Sequence, residues 1–146
     1  STNGTGTAAS FNNLLGLTTD GTNLYVADYD NHLIRQVVIS TGVVTTLAGT
    51  TSSGSANGTG TAATFNQPAS ISSDGTNLYV ADLSNNLIRQ IVISTGVVTT
   101  LAGTGSSGSA NGTGTAASFN TPVDVTTDGT NLYVADYGNN LIRKVE

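Results

Sequence analysis

The chain has 146 residues, with four basic and nine acidic side chains for a net charge of −5, a single His, and no Cys, Met or Trp. Charged residues make up 9%, against roughly 25% in typical globular domains, and Gly, Ser, Thr and Asn take their place. No cysteines means no disulfide, thiolate catalysis or Cys-ligated zinc; scarce Lys and Arg argue against nucleic acid and anionic membranes; no apolar run approaches the roughly 18 residues of a membrane span.

The strongest signal is internal repetition. "NGTGTAASFN" begins at Asn3, "NGTGTAATFN" at Asn57 and "NGTGTAASFN" at Asn111, a period of 54 residues. Residues 3–56 and 57–110 differ at 13 of 54 positions. In the second copy, 69–73 is a short strand candidate and "DGTN" (74–77) an Asp-Gly hairpin signal. "LYVAD" (78–82) is a second strand, with Leu78 and Val80 on one face and Tyr79 and Ala81 on the other. "LSNN" (83–86) turns, "LIRQIVI" (87–93) is a β-branched third strand, "STG" (94–96) turns again, and "VVTTLAG" (97–103) is a fourth. A Gly/Ser/Thr link follows, and no helical period appears. The strands are apolar on both faces, as in a sheet covered on both sides, whereas a two-layer sandwich shows a polar outer face. Repeated four-stranded antiparallel units of this kind are the pattern of β-propeller blades.

The segments "FNNLLGLTTDGTNLYVADYDNHLIR" (11–35), "FNQPASISSDGTNLYVADLSNNLIR" (65–89) and "FNTPVDVTTDGTNLYVADYGNNLIR" (119–143) resemble the NHL repeat, a six-bladed propeller family. Leu14 departs from the Pro at 68 and 122, and Ser70 and Asp124 replace the Gly of position 16. The resemblance implies an all-β propeller of three four-stranded blades per chain, at about 11–49, 65–103 and 119–146, with linkers 50–64 and 104–118 and no outermost strand in the third blade. Some members of the family are lyases with metal-binding histidines, and others bind RNA through a basic face. One His and four basic residues support neither.

His32 occupies the slot of Asn86 and Asn140, which reads as a turn position tolerant of left-handed backbone. Asp28, Asp82 and Asp136 end the second strand of each copy and read as turn-fixing acceptors. Asp20, Asp74 and Asp128 open the Asp-Gly turns. Arg35, Arg89 and Arg143 are expected to pair with an Asp of their own or the next blade. Phe11, Phe65 and Phe119 are expected to be buried anchors pinning each link. The sequons at Asn3, Asn57 and Asn111 lie in the links. Variation among copies concentrates at the lead-in to the first strand and at the second turn, which share one rim of a meander. That rim is the candidate binding face: Asn13, Gly16, Tyr29, Asp30, His32, Gln67, Ser70, Leu83, Ser84, Asn86, Thr121, Asp124, Tyr137 and Asn140.

No catalytic residue, metal ligand set or cofactor site is read from the sequence. The function expected is a non-enzymatic propeller module that assembles with itself, as a homodimer completing a six-bladed ring, with no nucleic-acid or membrane partner. The alternatives are an extracellular ligand-binding or adhesion propeller within a larger bacterial protein and, less favoured, a lyase-type enzyme. The composition fits a secreted or bacterial-surface protein, and near-identical copies with a ragged end suggest an excised or engineered fragment.

Overall fold

The computed structural model describes residues 1–145; Glu146, expected as the last residue of blade 3, lies outside the described residues. The strands run β1 (Gly4–Thr5), β2 (Leu14–Thr19), β3 (Asn23–Asp28), β4 (Leu33–Val38), β5 (Val43–Gly49), β6 (Gly58–Thr59), β7 (Pro68–Ser73), β8 (Asn77–Asp82), β9 (Leu87–Val92), β10 (Val97–Ala102), β11 (Pro122–Thr127), β12 (Leu132–Asp136) and β13 (Leu141–Val145). They form three antiparallel sheets, ordered β1-β5-β4-β3-β2, β6-β10-β9-β8-β7 and β11-β12-β13. No α-helix occurs among the described residues; six short 3₁₀ turns do. This is an all-β arc of three propeller blades.

Two turn types build each meander. Asp20 closes the first by accepting the N–H groups of Thr22 (2.8 Å) and Asn23 (2.7 Å) on one carboxylate oxygen. Gly21, at φ 88°, supplies the left-handed step. Tyr25 donates its hydroxyl to the other oxygen at 2.7 Å. Burial and the adjacent Asp20 push the Tyr25 phenol up to about 12. The second turn is a 3₁₀ turn ending on a residue at positive φ: His32 at 58°, Asn86 at 55° and Asn140 at 56°.

The core lies between blades, and period-two alternation feeds it from both sides. Tyr25, Ala27, Ile34 and Ala48 of the first blade pack on Phe65, Ile71, Leu78, Val80 and Ile91 of the second. The opposite face of the second blade, with Ala81, Ile88 and Ala102, packs on Phe119, Val125, Leu132 and Val134 of the third. Leu78 and Val80 thus face backwards, and Tyr79 and Ala81 forwards.

The links depart from the expectation of plain spacers between four-stranded units. Gly4 and Thr5 pair with Val44 and Val43, and Gly58 and Thr59 with Val98 and Val97, so the segments leading into the first two blades each add a fifth, two-residue strand on the outer edge. A one-turn 3₁₀ segment follows, at Gly6–Ala8 and Gly60–Ala62. Gly, Thr and Ala carry no burial pattern, so backbone pairing rather than side-chain packing orders these residues.

Candidate functional site

Each blade is tied together by an Arg–Asp pair, fully buried in the first two blades and with a part-buried Arg in the third. Arg35 lies 2.9 Å from Asp28, Arg89 3.0 Å from Asp82 and Arg143 3.1 Å from Asp136, each within its own blade. Arg89 Nη1 also donates to the Thr64 carbonyl, and Nη2 to the Ala56 carbonyl and Asn57 Oδ1, at 2.9–3.1 Å. The guanidinium sits 5.2 Å above the Phe65 ring, a cation–π contact. Arg35 repeats this set with Ser10, Thr2, Asn3 and Phe11, and Arg143 with Ser118, Ala110, Asn111 and Phe119. The arginine therefore clamps both ends of the link onto the sheet. The sequon asparagines are part of this clamp, a role their sequence context does not announce.

The aspartates anchor a different segment from the one expected. Asp82 Oδ1 accepts the N–H of Asn66 at 2.8 Å, in the lead-in to the first strand, rather than an N–H of its own hairpin. Its Oδ2 accepts the Asn85 amide at 2.8 Å. Burial pushes the Asp82 carboxyl up, against the pull of the Asn66 N–H, Asn85 and Arg89. Asp136 makes the same contacts with Asn120 and Asn139, and Asp28 accepts both the Asn12 N–H and the Asn31 amide on Oδ1.

Phe65 and Phe119 are fully buried, whereas Phe11 is only half-buried. Phe65 and Phe119 pack against a preceding blade, and among the described residues Phe11 has none. The expectation of three equivalent anchors is corrected at Phe11 for that reason.

The lead-ins and second turns do meet on one rim. Tyr29 and Asp30 donate their N–H groups to Asn13 and Asn12, Ser84 to Asn66, and Gly138 to Asn120. The Ser84 hydroxyl bonds Gln67 Oε1 at 2.6 Å. Four rim residues serve the blade junctions: His32 Nδ1 accepts the Gln67 N–H at 3.0 Å, and Asn86 Oδ1 accepts the Thr121 N–H at 2.9 Å. His32 is thus placed as a backbone acceptor between blades. Asn13, Gln67 and Thr121 share positive φ, from 54° to 57°, unusual for a β-branched residue such as Thr121.

Below the rim, β2, β7 and β11 lie side by side and line a cavity of about 600 Å³ with Leu15, Gly16, Leu17, Ser70, Ile71, Asp124 and Val125. Tyr29 and Leu83 stand at its rim side. Gly16, Ser70 and Asp124 occupy the same repeat position and stack from blade to blade. A Cβ on Gly16 would come within 2.7 Å of Ser70 Cα and 2.8 Å of Ile71 N. At the next junction the Ser70 hydroxyl bonds the Asp124 carboxylate. Asn13, Asp30, Ser84, Tyr137 and Asn140 are exposed and lie outside the cavity lining, with Tyr137 69% exposed. Among the described residues, no group of three or more His, Asp or Glu is placed to hold a metal ion.

Blades built on antiparallel meanders, packed face to face with their first strands beside a common cavity, define a β-propeller arc. No family model matches the chain. Over 103 residues it is 39% identical to human "NHL repeat-containing protein 2", covering 67% of this chain and 14% of that protein. The auxiliary nutrient binding protein of Bacteroides thetaiotaomicron superposes with a TM-score of 0.80 at 23% identity, over 91% of this chain and 36% of that one. That of Bacteroides ovatus gives 0.78 at 25% identity, over 92% and 37%. The chain belongs to the NHL-repeat β-propellers. It spans only between 12% and 19% of the curated relatives it matches.

Proposed function

We propose that the chain is a non-enzymatic binding propeller that closes into a six-bladed ring with a second copy and offers the rim above its axial cavity to a ligand. The observation that carries this reading is the contrast between inner and outer blade faces. Leu17 is 61% exposed, while Ile71 and Val125 at the same repeat position are 4% and 2% exposed. Ile142 is 82% exposed, while Ile34 and Ile88 are both at 0%. Apolar faces of this kind mark association surfaces. The two faces are complementary halves of the junction already formed twice within the chain. A head-to-tail contact between them either closes or propagates, and two arcs of three blades give the six of the family. The lone His is already committed to a backbone bond, which favours binding over metal-assisted chemistry.

A second reading is favoured by the short span relative to its relatives: further blades of a longer extracellular protein cover the same two faces. The likeness to the auxiliary nutrient binding protein of Bacteroides ovatus supports a ligand-binding role for either form. Leu17→Asp separates the readings when introduced into the 146-residue chain. Under ring closure, sedimentation velocity shows a fall from dimer to monomer with the β-sheet circular dichroism retained. A wild-type chain already sedimenting as a folded monomer overturns the dimer and favours the longer protein.

A further inference from the structure

The links carry a motif that the arginine clamp uses only in part. Of the asparagines in the chain, only Asn3, Asn57 and Asn111 open an Asn-x-Ser or Asn-x-Thr triplet, and each reads Asn-Gly-Thr. Two of its three residues have a structural reason. Asn57 Oδ1 accepts from Arg89 Nη2 at 2.9 Å and from the Thr100 hydroxyl at 3.3 Å, and Asn3 Oδ1 accepts from Arg35 at 2.8 Å and from Thr46 at 3.3 Å. The next residue must be glycine: a Cβ on Gly58 would fall 2.8 Å from the carbonyl carbon of Ala62, and one on Gly4 2.9 Å from that of Ala8. The third residue has no such reason. Thr59 and Thr5 are exposed, and their hydroxyls bond no group among the described residues.

The amide nitrogen of Asn57 is uncommitted as well. Asn57 is exposed, and its Nδ2 donates to nothing among the described residues. It precedes β6, which pairs with β10 at the end of the sheet opposite the axial strand β7. It also stands in the wall of an open groove of about 540 Å³ between the link into the second blade and the link into the third. Ser55, Thr100, Thr104 and Thr115 bring hydroxyl groups to this groove, and no charged side chain lines it.

We propose that Asn57, with its repeats Asn3 and Asn111, is an attachment site for an N-linked glycan, joined at Nδ2 while Oδ1 stays in the arginine clamp. The Asn-x-Thr triplet is the acceptor pattern for this modification. The donor is a sugar carried on a lipid diphosphate. A bond forms from Nδ2 to the anomeric carbon, the bond from that carbon to the phosphate oxygen breaks, the diphosphate leaves with the electron pair, and one Nδ2 proton passes to solvent. The amide keeps its carbonyl oxygen, so the bonds from Arg89 and Thr100 survive. The first sugar lies against the hydroxyl-lined groove, and the hydrated chain beyond it covers the outer edge at β6, where unpaired backbone groups would otherwise invite another strand. The modification goes beyond the proposed function and suits either form of it, because neither the packed blade faces nor the axial cavity includes these asparagines.

The test is secretion of the full chain from insect cells behind a cleavable leader, with the chain made in a bacterial host as the unmodified control. Trypsin, acting on the denatured chain, cuts after Arg35 and Arg89 and leaves each sequon on its own peptide. The mass of each peptide before and after treatment with peptide N-glycosidase reads its occupancy. Asn57 is expected to be occupied in most of the secreted chains. The glycosylated chain is expected to melt no lower than the bacterial one, because the clamp is kept. Thr59→Val removes the glycan at Asn57 alone and leaves the melting temperature of the bacterial chain unchanged, whereas Asn57→Gln removes the glycan and also lowers the melting temperature in both hosts. An unmodified Asn57 peptide from a secreted chain shown folded by circular dichroism overturns the proposal. So does a glycosylated chain that melts below the bacterial one, which would mean that sugar and clamp compete for the same side chain.

Discussion

His32 shows how a residue that looks chemical settles into a geometric role. It needs positive φ and one acceptor atom reaching forward to the next blade, and Asn86 meets both requirements with Oδ1 where His32 uses Nδ1. His32→Asn is therefore expected to change stability by no more than about 0.5 kcal/mol in urea unfolding. A loss of several kcal/mol would mean that the imidazole does something Asn cannot. The turn tolerance was legible from three copies of one slot; the inter-blade bond was not, because its partner lies 35 residues away. Asp74 offers a second residue-scale test. Burial raises its carboxyl, but the N–H groups of Asn77 and Thr76 and the Tyr79 hydroxyl outweigh that and hold it at about 2. A depressed folded-state value stabilises above the ordinary carboxylate value near 4 and is lost as pH falls from there through about 2. Asp82, raised by burial, has the opposite sign, so the comparison is between variants. Thermal melts of Asp74→Asn should show a shallower loss between pH 4 and pH 2 than wild type, with a difference below about 1 kcal/mol for so exposed a group. Parallel pH profiles would remove the turn from the account of acid stability.

At the scale of elements, strands and turns were readable because alternation and Asp-Gly or Ser-Thr-Gly punctuation recur in register. Apolar residues on both faces signalled burial from two sides, and Leu78 and Ala81 do face different neighbours. The links were not readable. Thr, Gly and Ser there form a short edge strand, a 3₁₀ turn and an arginine clamp through main-chain groups, which every residue type carries. Phe11 was misread with Phe65 because identity of sequence does not carry identity of environment: burial depends on a neighbouring blade. Phe65→Ala should cost roughly 3–5 kcal/mol, as truncations in closed cores do. Phe11→Ala should cost clearly less in the monomeric Leu17→Asp background and approach the Phe65→Ala value in the assembled chain. Chemical denaturation of both variants in the two backgrounds reads this directly; equal losses in the monomeric background would contradict the assignment.

The whole molecule is an arc whose two ends match each other. Ala135 and Ile142 at one end repeat the positions of Ala27 and Ile34, and Leu17, Leu24 and Val26 at the other repeat those of Ile71, Leu78 and Val80. The two internal junctions share their apolar packing and a bond from the second turn to the next lead-in, and differ at Gly16, Ser70 and Asp124, so a junction between two copies would reuse the shared contacts. The exposed edge of β13 does not obstruct it, because the junction is made mainly by the inner strands, and β2, β7 and β11 line the axis. The measurement that tests this most directly is the mass of the 146-residue chain by multi-angle light scattering across a hundredfold range of concentration. Ring closure predicts a constant 29.2 kDa, twice the chain mass of 14.6 kDa. A stable 14.6 kDa species at every concentration would contradict it.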